Sequence, residues 1–203
     1  MPIPESNSGR CIAGKEILPS GYGGWIRPIS ARQGAEVSED ERRYYNGQSA
    51  QLLDIINVPV IGATPVLYQA ENYVIDPGFY WEKQGERAVE ELDQLLDNPP
   101  SIWTNDDSTY YGANDRVTLD VAAKLKSSLM LLRPEELTII VHIEGAEFGN
   151  PKRRVRADFT HKNVLHRLIV TDPVAERTLL AKPNAQYKMK NTYLCISLGT
   201  VYK

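Results

Sequence analysis

Apolar and polar positions alternate with a period of two at both ends of this chain, and recur nearer every 3.6 residues in its middle. Arg10 to Ile17 (RCIAGKEI) reads as a strand, and Leu18 to Gly24, rich in Gly and Pro, as the turn after it. Trp25 to Ser30 (WIRPIS) returns as a second strand, with Pro28 marking an edge or a strand end. A charged loop runs from Arg32 to about Ser49. Leu52 to Ile61 (LLDIINVPVI) is a nearly continuous β-branched run, as expected of a strand buried on both faces, and Gln69 to Asp76 makes a fourth strand.

From Tyr80 to Asp97 the apolar residues Trp81, Val89, Leu92, Leu95 and Leu96 fall at helical spacing, and Asn98-Pro99-Pro100 stops the run. Its many acids mark a solvated helix face. Thr118 opens a second predicted helix, with Val121, Leu125, Leu129 and Leu132 on one stripe, closed by Arg133-Pro134. Beyond it, Leu137 to Glu144 alternates, with Ile139, Val141 and Ile143 on one face. Lys152 to Thr160 and Val164 to Thr171 read as a hairpin around His161-Lys162-Asn163, and Tyr193 to Leu198 as a last strand. The expected fold is mainly β with a helical insert: two small β barrels or sandwiches over residues 1–79 and 134–203, flanking helices at 80–133.

Composition changes this picture little. The 203 residues are 42% hydrophobic and 24% charged, enough apolar content for a sizeable core. A net charge of −3 removes the whole-chain basicity of proteins that coat nucleic acid indiscriminately, so an anionic partner needs a local basic patch. Met1 to Asn7 lacks the basic and apolar regions of a signal peptide, and no apolar run approaches a membrane span. A cytoplasmic protein without membrane contact is expected. Cys11 and Cys195 have no metal-ligand spacing and read as small apolar strand residues in a reducing compartment.

One local patch stands out. From Lys152 to Val170, Lys152, Arg153, Arg154, Arg156, Lys162 and Arg167 face a single acid, Asp158. Strand alternation puts Val155, Ala157 and Phe159 on one face, and Lys152, Arg154 and Arg156 on the other. Same-face residues lie about 6.6–6.8 Å apart, close to the phosphate spacing of a single strand. The competing reading is a solubilising strand paired with acids. Trp25 and Arg27, two apart in a strand, can stack a base and hold its phosphate, or be a core tryptophan with a snorkelling arginine. Lys15 joins this set. Gln69 and Asn72 can read a base edge or satisfy a turn, and Asn114 with Arg116 can clamp a ligand or cap a loop.

Catalytic signals are missing: there is no P-loop, GxGxxG, GxSxG or HExxH. His142, His161 and His166 pair with no nucleophile at a recognisable spacing, and are read as one packed and two surface residues. Asp54, inside an apolar run, needs a structural partner such as an arginine more than it suggests catalysis. No enzyme, cofactor or metal is expected.

Seven motifs, in order, carry a family resemblance: CIAGKEI (Cys11 to Ile17), GGWIRPIS (ending at Ser30), LLDI (Leu52 to Ile55), QAENY (Gln69 to Tyr73), GANDRV (Gly112 to Val117), LIVTDP (Leu168 to Pro173) and YLCISLG (Tyr193 to Gly199). Together they resemble the prokaryotic dual-OB domain family, two OB folds joined through a helical segment. The resemblance implies a binding or sensing role toward nucleic acid or nucleotides in prokaryotic defence settings, and supplies no catalytic residue. Family members continue past the SLG strand whereas this sequence stops at Tyr202-Lys203, so the second barrel is expected one strand short. The functional expectation is a binding module for single-stranded DNA or RNA, or a nucleotide. The rivals are a protein-interaction subunit, its acidic helix and open sheet edge docking a partner, and a nucleotide-processing enzyme.

Overall fold

The computed structural model describes residues 9–103 and 107–199. Contacts divide the chain into two compact units: Met1–Leu95 with Lys126–Leu129, and Leu96–Leu125 with Met130–Lys203. The expectation about the last strand bears on residues 200–203, outside the described ones. The protein is mainly β, with few and short helices.

Unit 1 contains β1 (Gly14–Leu18), β2 (Gly21–Ile29), β3 (Asp54–Asn57), β4 (Val60–Ala63), β5 (Asn72–Ile75) and β6 (Glu82–Glu86). β1 and β2 form a hairpin whose turn needs Gly21 at φ 130°, where a side chain would be strained. β2 then runs parallel to β5, and β5 antiparallel to β4, giving the order β1-β2-β5-β4. β3 and β6 make a separate antiparallel pair. Val37, Tyr44, Ile75 and Trp81 form a small core, with Ile12, Ala50, Ile56 and Val58 packed against it. The charged loop is pinned by Glu41, which accepts from Arg32, Ser30 and Ser38. Burial alone would raise this carboxyl; those hydrogen bonds hold it down at about 2.

Two expectations fail here. Leu52 to Ile61 is two strands split at Val58-Pro59, and it is not buried on both faces: Leu52 is 92% exposed and Ile61 68%. Proline cannot donate to a ladder, and the break lets β3 and β4 join different sheets. The segment from Tyr80 is strand rather than helix up to Glu86, and only Val89–Leu95 is helical, as a 3-10 helix. Gly85 disfavours a helix, and β6 supplies the backbone partners that β3 would otherwise lack.

Unit 2 holds α1 (Leu119–Ala122), β7 (Leu129–Leu132, from Met130 onward in this unit), β8 (Leu137–Glu144), β9 (Lys152–His161), β10 (Val164–Ile169), α2 (Pro173–Leu180), β11 (Ala185–Met189) and β12 (Leu194–Ser197). The expected second helix stops after one turn. Lys126-Ser127-Ser128 interrupts it, and Leu129-Met130-Leu131-Leu132 pairs with β12 as strand. The main sheet is antiparallel in the order β10-β9-β8-β11, and the hairpin around His161 to Asn163 is as expected. Its inner face carries Leu137, Ile139, Val141, Val155, Ala157 and Phe159, which pack with Ile102, Trp103, Leu132 and Ile196. Ile143 departs from the predicted alternation: it is exposed, while Glu144 is buried.

Neither α2 nor β11 was expected from the sequence. Asp172 caps α2 by accepting from the Val174 and Ala175 amides at 3.0 and 2.7 Å, with Pro173 at its start. Arg153 closes the other end by donating to the Leu180 and Lys182 carbonyls and to Asn184. Among the described residues the ladders form two four-stranded and two two-stranded sheets, and none closes into a barrel.

Candidate functional site

The outer face of the unit 2 sheet is polar because strand register makes it so. His142 opposes Arg154, Glu144 opposes Lys152, and Ile140 opposes Arg156. The three cations share this face as expected, but they do not share a role. Arg156 is buried. Its Nε and Nη2 meet the two Glu144 oxygens at 2.6 and 3.0 Å, and its Nη1 lies 3.2 Å from Asp115. Burial would raise the Glu144 carboxyl, but Arg156, with His142 adding, holds it below the ordinary carboxylate range. Arg156 is therefore a structural ion pair and is withdrawn from the phosphate-contact set. Lys152 and Arg154 have no acidic partner within ion-pair distance among the described residues, and Lys152 is exposed.

A loop from Asp107 to Arg116 lies along this sheet. Ala113 pairs with Arg167 of β10, and the Asn114 amide side chain donates to the Leu165 carbonyl at 3.0 Å. Asp115 accepts from Thr109 and so closes the loop on itself. Asn114 thus does loop work, and Arg116 pairs with Asp107 at 3.4 Å. The loop presents Tyr110 and Tyr111. Tyr110 meets Phe148 edge to face with ring centres 5.4 Å apart, and the two rings are 75% and 67% exposed. Tyr111 stands edge-on to His142, 5.7 Å away, which links the aromatic group to the strand position opposite Arg154.

Phe148 comes from the 3-10 turn Ala146–Phe148. That turn is held by Gly145 at φ 79°, where a Cβ would meet the Asn150 carbonyl oxygen at 2.5 Å. Sequence reading missed Tyr110, Tyr111 and Phe148. The Tyr-Tyr doublet beside Gly112 was the available signal, but no contiguous pattern joins it to Phe148.

A family model for a dual OB-containing domain matches residues 5–203. The chain belongs to that family. Comparisons with curated proteins and with solved structures return no match.

In unit 1 of this dual OB-containing domain, the expected Trp25–Arg27 clamp is not formed. Lys15 and Trp25 are paired across β1 and β2, the ammonium 4.7 Å from the indole centre. Arg27 is buried and donates to Glu71 at 3.3 Å and to Ser128 at 2.7 Å. Ser128 in turn donates from its amide and hydroxyl to Glu71. Asn72, the register partner of Arg27, is buried and donates to Gln69 at 3.2 Å. So Arg27 belongs to an internal clasp with Glu71 and Ser128, while Asn72 is buried and bonded to the half-exposed Gln69.

Asp54 does have a structural partner, a lysine rather than an arginine. Its side chain is 2% exposed and accepts from Lys83 at 2.7 Å, Tyr44 at 2.6 Å and the Gln51 amide. Burial raises its carboxyl, yet these donors hold it low, while burial and Asp54 together push the Tyr44 phenol up. Asp158 is occupied by Arg167 at 2.6 Å. Cys11 and Cys195 are exposed, not packed, and Cys11 lies outside any strand. Among the described residues no group of three or more His, Cys, Asp or Glu could hold a metal ion, and no helix is long and apolar enough to cross a membrane.

His166 is the packed histidine, stacked on Phe159 at 5.6 Å. Burial lowers its pKa, the neighbouring Asn114 backbone opposing and His161 adding to the shift. With the folded pKa below the unfolded one, the unfolded chain binds more protons as pH falls past about 6.5, so the fold loses stability there. Urea midpoints between about pH 7.5 and 5 should fall, and His166→Leu should flatten that slope. An equal slope in the variant would assign the dependence to another group.

Proposed function

We propose that this protein binds single-stranded DNA or RNA, or a nucleotide, and does so without turning it over. The observation that carries the reading is the exposed Tyr110–Phe148 pair, linked through Tyr111 and His142 to a strand face bearing Arg154 and Lys152. Two exposed rings in contact offer a surface on which a flat ligand can stack, which single exposed apolar residues do not. Bases do so whatever their sequence, and nearby cations neutralise the backbone. Membership in a dual OB-containing family supports a binding module. The reading extends to a role in prokaryotic defence, which the motif resemblance implies, and to a cytoplasmic location.

The test is fluorescence anisotropy with labelled DNA and RNA oligonucleotides. Tyr110→Ala should cost about 1–3 kcal/mol of affinity with little change in melting temperature, because the ring is exposed. Arg154→Ala should lower the slope of log K against log salt by about 0.7. Affinity unchanged in both variants would refute this interface. Intact oligonucleotides after incubation with and without magnesium, manganese or zinc are the expected turnover result.

A second reading, a protein-docking subunit, draws on unit 1. Tyr45 and Tyr80 form an exposed edge-to-face pair at 5.7 Å, and Ile61 is exposed on the edge strand β4. The neighbouring Arg43 pairs with Asp40 at 3.1 Å. Absence of oligonucleotide binding altogether would favour it.

A further inference from the structure

We propose that His166 makes the aromatic site of unit 2 acid-sensitive: a proton taken up there frees the loop from Asp107 to Arg116, and with it the stacking surface that Tyr110 shares with Phe148. The link to binding rests on the reading of that surface as a nucleobase site.

His166 lies on the inner face of β10, 1% exposed and stacked on Phe159 of β9. Neither ring nitrogen has a hydrogen-bond partner among the described residues. A neutral imidazole has one donor and one acceptor; an imidazolium has two donors and a full charge, and burying it unpaired is far more costly. The surroundings offer no counter-charge. From β9 the facing titratable group is His161, whose Nε2 lies 2.9 Å from the Pro99 carbonyl oxygen, and a second histidine opposes the proton. From the loop it is the Asn114 backbone that comes close to the ring. Asp158 and Asp115 are engaged on the outer face with Arg167 and Arg156. A protonated His166 therefore needs water, and whatever covers the ring must move.

Strand pairing decides what moves. β10 is an edge strand, tied on one side to β9 by a ladder that runs from Val164–His161 to Ile169–Arg156. On its other side, among the described residues, it is held by the loop alone. Ala113 and Arg167 exchange backbone hydrogen bonds at 3.3 and 2.9 Å, and the Asn114 side chain donates to the Leu165 carbonyl at 3.0 Å. These bonds fall on the residues immediately before and after His166, and they are fewer than those of the ladder. Two contacts keep the loop closed while His166 is neutral. Asp115 meets Arg156, and the Tyr111 hydroxyl accepts the Gly145 amide at 2.7 Å, which sets Tyr110 beside Phe148. Burial favours the neutral ring, so the loop is closed above about pH 6.5. As pH falls below that, each further unit favours the open form by up to about tenfold.

The test is amide hydrogen exchange on the whole protein at about pH 7.5 and 5.5, corrected for intrinsic rates, in the wild type and in His166→Leu. The amides of Ala113, Asn114 and Arg167 should be protected at the higher pH and lose protection at the lower, while the β8–β9 ladder keeps its own. His166→Leu keeps the place apolar and cannot titrate, so its loop should stay protected at both. Should that variant fail to fold, His166→Gln, polar without a titrating ring, replaces it. Oligonucleotide affinity, read by anisotropy at the same two pH values, should fall severalfold more in the wild type than in the variant. The comparison cancels His142, which stands opposite Arg154 in both proteins. Equal loop protection at both pH values in the wild type, or the same loss in the variant, would overturn the proposal. Simultaneous loss over the β8–β9 ladder would do so too, since unit 2 is then unfolding. Loop opening with unchanged affinity would break the link to binding. Binding at neither pH would remove the platform reading itself, and the exchange result would still decide whether His166 holds the loop.

Discussion

Replacing Arg156 with alanine should destabilise unit 2 by about 3–5 kcal/mol, far more than the loss of any other cation on that strand. The guanidinium is 7% exposed and grips Glu144 with two parallel hydrogen bonds while reaching Asp115. Both carboxylates are also about nine-tenths buried. Removing the cation leaves two desolvated acids facing a void, the costly half of a broken buried pair. Urea denaturation followed by circular dichroism measures this, and a loss below about 1 kcal/mol would show that water reaches the site and satisfies the acids. Arg156→Lys should fall between, since an ammonium restores charge without the planar fork. Arg154→Ala belongs in the same experiment: it should change salt-dependent binding and leave the denaturation midpoint in place. The two arginines are two residues apart and look equivalent in sequence.

The second large effect is expected at Trp81. It is 1% exposed and sits in a small core whose other buried members, among the described residues, are Val37, Tyr44 and Ile75. A small core has little capacity to collapse around a deleted indole, so Trp81→Ala should cost about 3–5 kcal/mol, the upper range for large-to-small substitutions. Trp81→Phe should cost less, because most of the volume is kept. The loss should appear in the transition assigned to unit 1 and leave that of unit 2, with its separate core, unchanged. A single cooperative transition displaced as a whole would mean that the units unfold together.

Both predictions sit where sequence reading was half right. Strand alternation located Val155, Ala157 and Phe159 in the core, and put Lys152, Arg154 and Arg156 on the other face. Alternation says which way a side chain points, but not what the chain lays over it. The loop bringing Asp115 to Arg156 is 41 residues away, and its closure is a tertiary event. Trp81 was likewise recognised as apolar and inward, but the spacing of Val89, Leu92 and Leu95 extended a helix backwards over residues that pair with β3. The hairpin around His161 was legible because its turn and alternation are local; the first hairpin was legible in outline only, since its turn is Pro19-Ser20 and Gly21 to Gly24, expected in the turn, belong to β2. The aromatic platform was not, because Tyr110 and Phe148 belong to separate loops. α2 escaped notice although Asp172-Pro173 is a strong start signal, since the LIVTDP stretch was read as the end of a strand.

The clasp of Arg27 and Glu71 on Ser128 bears on how the protein is made. Unit 1 is finished by Lys126–Leu129, residues that a ribosome delivers only after Leu96–Leu125 of the other unit. A nascent chain that has emerged as far as Leu95 therefore carries Arg27 and Glu71 without the serine that completes their burial. Domains that are continuous in sequence can fold from the N-terminus as they appear; this one must wait. The same interleaving shapes inheritance. A crossover at the codon for Leu95 would separate Ser128 from its partners, so neither half can be passed to another gene as a cassette with a single junction, and the pair is exchanged whole or cut at more than one point.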